Sequence, residues 1–166
     1  MSDVATKKVR APAARKRATS TPAAAETAAA PAPAASTELI RVLLSVRWRD
    51  LDAFNHVNNS TYLSYLEEAR LRWMMGLPGE WLDDQVAPVV AASTLNYRRP
   101  IEWPNDVVVE LFVERVGNSS VTIGHRIVGA AGGAPLYCDG NVVLVWIDRA
   151  SGQAAPLPAA VRASCA

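Results

Sequence analysis

The chain has 166 residues, half of them hydrophobic, and a net charge of +1. That is enough for one domain with a genuine core, and it argues against disorder throughout and against a small disulfide scaffold. The near-neutral total hides a division, because residues 1–37 carry Lys7, Lys8, Arg10, Arg15, Lys16 and Arg17 against only Asp3 and Glu26, whereas the remainder is acidic and all its basic side chains are arginine.

The first 37 residues are Ala, Pro, Thr, Ser and Lys/Arg with almost no branched aliphatic side chain, so they are expected to form a disordered basic tail rather than part of the core. Pro12, Pro22, Pro31 and Pro33 interrupt the alanine runs. An organellar transit peptide shares this composition, and weak contact with a polyanion is the partner expected of it. The domain is then expected over 38–166. From Leu39 to Trp48 an alternating strand sets Val42, Leu44 and Val46 against Arg41, Leu43, Ser45 and Arg47. A polar segment, 49–59, follows. From Ser60 to about Met75, Tyr62, Tyr65, Leu66, Ala69 and Trp73 recur at helical spacing, with Glu67, Glu68, Arg70 and Arg72 on the other faces. Asn59 or Ser60 is the expected N-cap, Gly76 and Pro78 end the helix, and Glu68 and Arg72 are spaced for an i,i+4 ion pair.

Extended segments follow at Val86–Tyr97, Val107–Val116, Val121–Val128 and Leu136–Ile147. Gly117-Asn118 and Gly132-Gly133 mark turns, and Gly140 marks a bulge, so the expected fold is α+β: one long central helix against a curved antiparallel sheet of about five strands. An open edge on so apolar a sheet predicts a homodimer or homotetramer. No apolar run approaches the ~18 residues of a membrane span. Cys138 and Cys165 predict no disulfide and a reducing, cytoplasmic setting.

Chemistry concentrates between the first strand and the helix, in Asp50-Leu51-Asp52-Ala53-Phe54-Asn55-His56-Val57-Asn58-Asn59. A carboxylate beside a helix N-terminus brings a base close to free backbone N–H donors, as attack on a carbonyl requires. Asp-Leu-Asp-x-x-x-His-Val-Asn-Asn-x-x-Tyr, continuing into Tyr65-Leu66-Glu67-Glu68-Ala69-Arg70, resembles the hotdog-fold acyl-CoA thioesterases of the 4-hydroxybenzoyl-CoA thioesterase type. Tyr97-Arg98-Arg99-Pro100 and Val116-Gly117-Asn118-Ser119-Ser120 also look like segments of that family.

The resemblance implies that Asp52 is the catalytic carboxylate and that N–H groups around Val57, Asn58 and Asn59 polarise the thioester carbonyl. The run is also similar to that of plant acyl-carrier-protein thioesterases, although Phe54 stands where their alternating asparagine would. Each residue also has a plain reading. Asp52 can be a turn residue; Asp50 can hold Arg47 or Arg49; His56 can orient substrate, share a water with Asp52 or brace the loop. Arg98, Arg99 and Arg126 have the chemistry to bind coenzyme A phosphates, and Ser119 and Ser120 to contact phosphate or pantetheine. His125 stands alone, so no metal is expected, and no cofactor is needed. A Gly-x-Ser-x-Gly elbow is absent. The expected activity is hydrolysis of an acyl-CoA to free acid and coenzyme A. Its rivals are a hotdog hydratase or dehydratase and a non-catalytic acyl-thioester-binding scaffold.

Overall fold

The computed structural model describes residues 36–131 and 135–166. The expected tail therefore lies outside the described residues except for Ser36 and Thr37, and so does the Gly132-Gly133 turn. Five strands, β1 (Glu38–Ser45), β2 (Val86–Tyr97), β3 (Asp106–Val116), β4 (Ser120–Gly129) and β5 (Leu136–Asp148), form one antiparallel sheet in the order β1-β3-β4-β5-β2. The Thr37 carbonyl already accepts a hydrogen bond from the Val113 N–H, at 2.9 Å. Helix α1 (Asn59–Met75) lies against the sheet, and a short helix α2 (Ala159–Ser164) closes the chain.

Alternation decides which face of the sheet meets α1. Val42 and Leu44 on β1, Val107, Val109 and Leu111 on β3, Val121, Ile123 and Ile127 on β4, and Val142, Leu144 and Trp146 on β5 are buried. Into this face the helix sets Tyr62, Tyr65, Leu66, Ala69 and Trp73, as its spacing predicts. Burial of such side chains contributes about 1.5–3 kcal/mol each before the entropy of ordering them is counted. Glu68 and Arg72 pair on the solvent side as expected.

Several expectations change. The N-cap is Asn58, whose side chain accepts from the Ser60 N–H at 2.9 Å and the Ser60 hydroxyl at 2.7 Å. Arg70, expected on a solvated face, is buried, because the chain after the helix and strand β2 wrap the side of α1 from which it projects. Gly140 is no bulge: it pairs in register with Leu95 and His125. Its φ is +154°, and a Cβ there would lie 1.9 Å from the Thr94 carbonyl oxygen and 3.0 Å from His125 Nε2. Helix α2 was not legible in the sequence. It buries Val161 and anchors the β3–β4 hairpin, where Arg162 Nη2 donates to the Gly117 and Asn118 carbonyls at 3.1 Å.

One buried polar contact fixes how α1 docks. After β1 the chain makes a 3-10 turn, Trp48–Asp50, that leaves the Asp50 side chain 5% exposed beneath the helix. Asp50 Oδ2 accepts from the Tyr65 hydroxyl at 2.7 Å and from the Arg47 N–H at 2.9 Å, and Arg47 Nε donates to both oxygens at 3.2 Å. Burial pushes the Asp50 carboxyl up, but the hydrogen bonds from Tyr65 and Arg47 outweigh it and hold the group below the usual carboxylate range.

This packing makes stability testable at two positions. Tyr65→Phe removes a hydrogen bond to a buried charge and is expected to cost about 1.5–3 kcal/mol at neutral pH. Because the folded pKa of Asp50 is depressed, the stabilisation is complete above the ordinary value of 3.8 and is lost as pH falls through the lower folded value. Urea unfolding should therefore show the wild-type advantage shrinking in that acid range, and an advantage independent of pH would contradict the role given to the charge. Gly140→Ala, which drives a Cβ into the Thr94 carbonyl, is expected to lose at least about 3 kcal/mol in the same assay.

Candidate functional site

The motif loop is a miniature hairpin. Leu51 bridges Val57, the Asp52 N–H donates to the His56 carbonyl at 2.8 Å, and Asn55 turns the tip with φ +62°, a conformation asparagine tolerates. Its base is tied at three points. The Val46 N–H donates to the Asn105 carbonyl at 2.9 Å, the Val57 N–H to Ile101 at 2.8 Å and the Asn58 N–H to Asp50 at 2.8 Å. The loop thus hangs between β1, the 100–105 segment and the start of α1.

These bonds sort the carbonyl-polarising donors expected from the sequence. The Val57 and Asn58 N–H groups are already engaged, and the Ser60 N–H belongs to the Asn58 cap. Among the described residues the Asn59 N–H has no partner, and it sits at the positive end of the helix dipole. Tyr97, the last residue of β2, braces this position by donating its hydroxyl to the Asn59 carbonyl at 3.1 Å, and its ring meets Tyr62 edge-on at 5.0 Å. The Tyr62 phenol is itself pushed up to about 12 by burial, so it stays protonated.

The two acids of Asp-Leu-Asp have different surroundings. Asp50 spends both oxygens on Tyr65 and Arg47. Asp52 is half-buried; its Oδ1 accepts from the Phe54 N–H at 2.8 Å and the His56 N–H at 3.4 Å, while Oδ2 has no partner among the described residues. The turn reading of Asp52 is therefore present in the geometry, and it occupies one oxygen only. His56 shares the hairpin with Asp52 through the backbone, yet its imidazole Nε2 lies 3.8 Å from Glu102 Oε1.

The remaining candidates are dispersed. Arg98 makes a two-point contact with Asp139, at 2.9 and 3.0 Å, and Arg126 lies beside Asp139 in the β4–β5 register with its guanidinium 5.6 Å from the Phe112 ring centre. Arg99 has no ion pair among the described residues, and its carbonyl accepts weakly from the Tyr62 hydroxyl at 3.5 Å. Ser119 and Ser120 lie at the β3–β4 hairpin, at the opposite end of the strands from Asp52. The whole length of β3, 11 residues at ~3.3 Å each, separates that hairpin from the end of the sheet where the loop begins. The sequence marked Tyr97 only as part of a family segment and did not mark Glu102, since a tyrosine closing a strand and a glutamate between two prolines carry no local signal of proximity to the helix start or to His56. No three His, Cys, Asp or Glu side chains are grouped as metal ligands would be among the described residues.

The sequence profile of the thioesterase-like superfamily matches residues 46–164. The long-chain acyl-CoA thioesterase FadM of Escherichia coli strain K12 is 28% identical over 121 residues, covering 72% of this chain and 91% of that protein. A solved structure from Xanthomonas campestris, of a protein provisionally named an acyl-CoA thioesterase, is 60% identical, with a TM-score of 0.64 over 72% of this chain and 98% of the other. A thioesterase from Thermus thermophilus, solved with coenzyme A and Zn, is 35% identical, with a TM-score of 0.65 over 78% of this chain and 92% of the other. With the profile spanning well over half of its length and the curved five-stranded sheet packed on one long helix, this chain belongs to the thioesterase-like superfamily and has its hotdog fold.

Proposed function

We propose that the protein hydrolyses an acyl-CoA thioester to the free acid and coenzyme A, as a member of the 4-hydroxybenzoyl-CoA thioesterase type. The observation that carries this reading is a carboxylate with one oxygen clamped and one open, on a loop that runs directly into a helix whose first N–H is unengaged. The activity of FadM and the coenzyme A bound by the Thermus thermophilus thioesterase support it.

In this mechanism the thioester oxygen accepts from the Asn59 N–H, which stabilises the oxyanion of the tetrahedral intermediate by about 3 kcal/mol for a well-placed donor. Asp52 Oδ2 either takes the proton of an attacking water or adds to the carbonyl itself to give an acyl anhydride that water then opens. In both routes the carbon–sulfur bond breaks, the sulfur takes a proton to leave as the coenzyme A thiol, and water supplies the second oxygen of the acid. His56 braces the hairpin beside Asp52, and Val57 and Asn58 hold the donor in place. Arg99 is the arginine freest to meet a phosphate; Arg98 and Arg126 would have to share theirs with Asp139.

Asp52→Asn is expected to lower kcat for thiol release by at least about 100-fold with the unfolding curve unchanged. Retention of more than about a third of the activity would remove Asp52 from the mechanism. The same assay separates the rivals, since a dehydratase would shift a double bond in the acyl group without freeing thiol and a scaffold would do neither.

Assembly belongs to the same proposal. Strand β2 has a free edge with Val89 and Val90 exposed, and Ser119 and Ser120 lie at the far end of β3 from Asp52, so in this reading they come to the site from a second copy of the chain. A homodimer or larger assembly is expected by sedimentation, and a fully active monomer at nanomolar concentration would overturn it. A cytoplasmic setting accords with the free thiols of Cys138 and Cys165, both buried. The basic composition of the tail supports weak contact with a polyanion.

A further inference from the structure

The end of strand β2 uses its two faces differently. Asn96 and Arg98 turn away from α1 and both reach Asp139 on β5: Asn96 Nδ2 donates to Oδ1 at 2.9 Å, Arg98 Nη2 to Oδ1 at 3.0 Å and Arg98 Nε to Oδ2 at 2.9 Å. Burial pushes the Asp139 carboxyl up, but the hydrogen bonds from Arg98 and Asn96, with the charges of Arg98 and Arg126, outweigh it and hold the group below the usual carboxylate range. Asp139 is a charged anchor. The backbone is pinned at the same point, because the N–H groups of Arg98 and Arg99 both donate to the Tyr137 carbonyl, at 2.8 and 3.2 Å.

Between the two clamping side chains stands Tyr97, and strand alternation turns it the other way, towards the helix. Its register partner is the buried Cys138, and its hydroxyl donates to the Asn59 carbonyl at 3.1 Å. The same period continues past the strand, where the Arg99 carbonyl accepts from the Tyr62 hydroxyl at 3.5 Å and the Ile101 carbonyl from the Val57 N–H at 2.8 Å. Residues 97, 99 and 101 each touch the motif loop or the first turn of α1. Burial accounts for little of this at Tyr97, which is 47% exposed although its hydroxyl is spent on a helix carbonyl.

What that hydroxyl fixes is a peptide plane. The plane before Asn59 carries the unengaged Asn59 N–H, and its carbonyl, from Asn58, accepts from the Thr61 N–H at 2.8 Å. That bond lies within the first turn and moves with it. The turn is referred to the sheet from outside by two further bonds: Asp50, just beyond β1, receives the Asn58 N–H, and Tyr97, closing β2, holds the Asn59 carbonyl. Strands β1 and β2 are the two edges of the sheet. Ties from both edges fix a direction that either tie alone would leave free to pivot.

We propose that Tyr97 is a positioning residue for thioester hydrolysis and that the clamp of Asn96 and Arg98 on Asp139 acts through it. The clamp fixes the end of β2, and Tyr97 then holds the first turn of α1 so that the Asn59 N–H meets the thioester oxygen. The inference rests on the hydrolysis proposed above and deepens that site. It also gives Arg98 a role in place of the phosphate contact that its chemistry alone suggests.

The test follows kcat and KM for thiol release from whichever of octanoyl-, palmitoyl- and benzoyl-CoA the wild-type chain turns over fastest. Tyr97→Phe keeps the ring and removes the hydroxyl; it is expected to lower kcat about tenfold, the equivalent of one hydrogen bond, with KM changed by less than about twofold. Arg98→Gln should lower kcat about threefold at unchanged KM, and Arg98→Lys, which keeps the charge without the two-point contact, by less. The double variant Tyr97→Phe with Arg98→Gln should be no slower than Tyr97→Phe, since both changes act through one hydrogen bond. Arg41→Gln, which breaks the ion pair with Glu110 near the other edge of the sheet, should leave kcat and KM unchanged. A Tyr97→Phe chain that keeps its kcat overturns the proposal. A raised KM with unchanged kcat in Arg98→Gln, or multiplied losses in the double variant, overturns the clamp's part in it. If the wild-type chain releases thiol from none of the three, the hydrolysis reading fails, and the Asn59 amide resonance decides the positioning separately: a shift in Arg98→Gln as well as in Tyr97→Phe sustains it, and a resonance unmoved by Arg98→Gln ends it.

Discussion

The buried carboxylate of Asp50 is the contact on which the geometry of this molecule turns. One side chain receives the Tyr65 hydroxyl from the middle of the helix and Arg47 from the strand exit, while its backbone carbonyl receives the N–H of Asn58, the helix cap. Three elements are thereby referred to a single residue. Apolar packing would hold α1 against the sheet without it, but such packing is non-directional and tolerates small sliding movements. A hydrogen-bonded charge does not tolerate them, because displacement leaves an unpaired carboxylate in the interior. The direction of the Asn59 N–H follows from this constraint.

Asp50 and Asp52 show how neighbouring acids diverge. Two residues apart, they would share a face in an extended strand, yet the 3-10 turn carries Asp50 under the helix and the hairpin takes Asp52 away from it. Asp50 has donors on both oxygens and little exposure, which suits a fixed anchor. Asp52 has backbone donors on Oδ1 alone, which orients the carboxylate and leaves Oδ2 open. An anchor and a reactive group cannot be the same carboxylate, since every donor that fixes an oxygen also weakens it as a base.

The sequence made the strands and the long helix legible because each repeats a burial pattern with its own period: Val42, Leu44 and Val46 at two, and Tyr62, Tyr65, Leu66, Ala69 and Trp73 at three and four. The motif loop was legible through residue type, because asparagines and aspartates beside a helix start announce turns and caps even when the cap is displaced by one residue, to Asn58. What escaped was determined by distant segments. Arg70 reads as solvated from its own helix, and only the wall supplied by Trp81, Pro88 and Leu144 buries it. Gly140 reads as a bulge from its strand, and only the approach of Thr94 and His125 explains why no Cβ fits. Helix α2 has too few residues for periodicity to declare it; it exists because Val161 fills a gap and Arg162 caps the hairpin carbonyls. Sequence periodicity reports which face is inward, whereas it does not report what the inward face meets.

The polar residues of α1 also differ in how much of each side chain keeps solvent. Glu68 and Arg72 pair in solvent, where such a pair contributes about 0.3–0.5 kcal/mol and little depends on it. Asn58 caps, and Arg70 lays its stem in the groove beside Trp81 and Pro88 with the Glu67 carboxylate as its charged neighbour. A long charged side chain buries its stem while its head keeps solvent, so burial of the residue and desolvation of its charge are separate quantities.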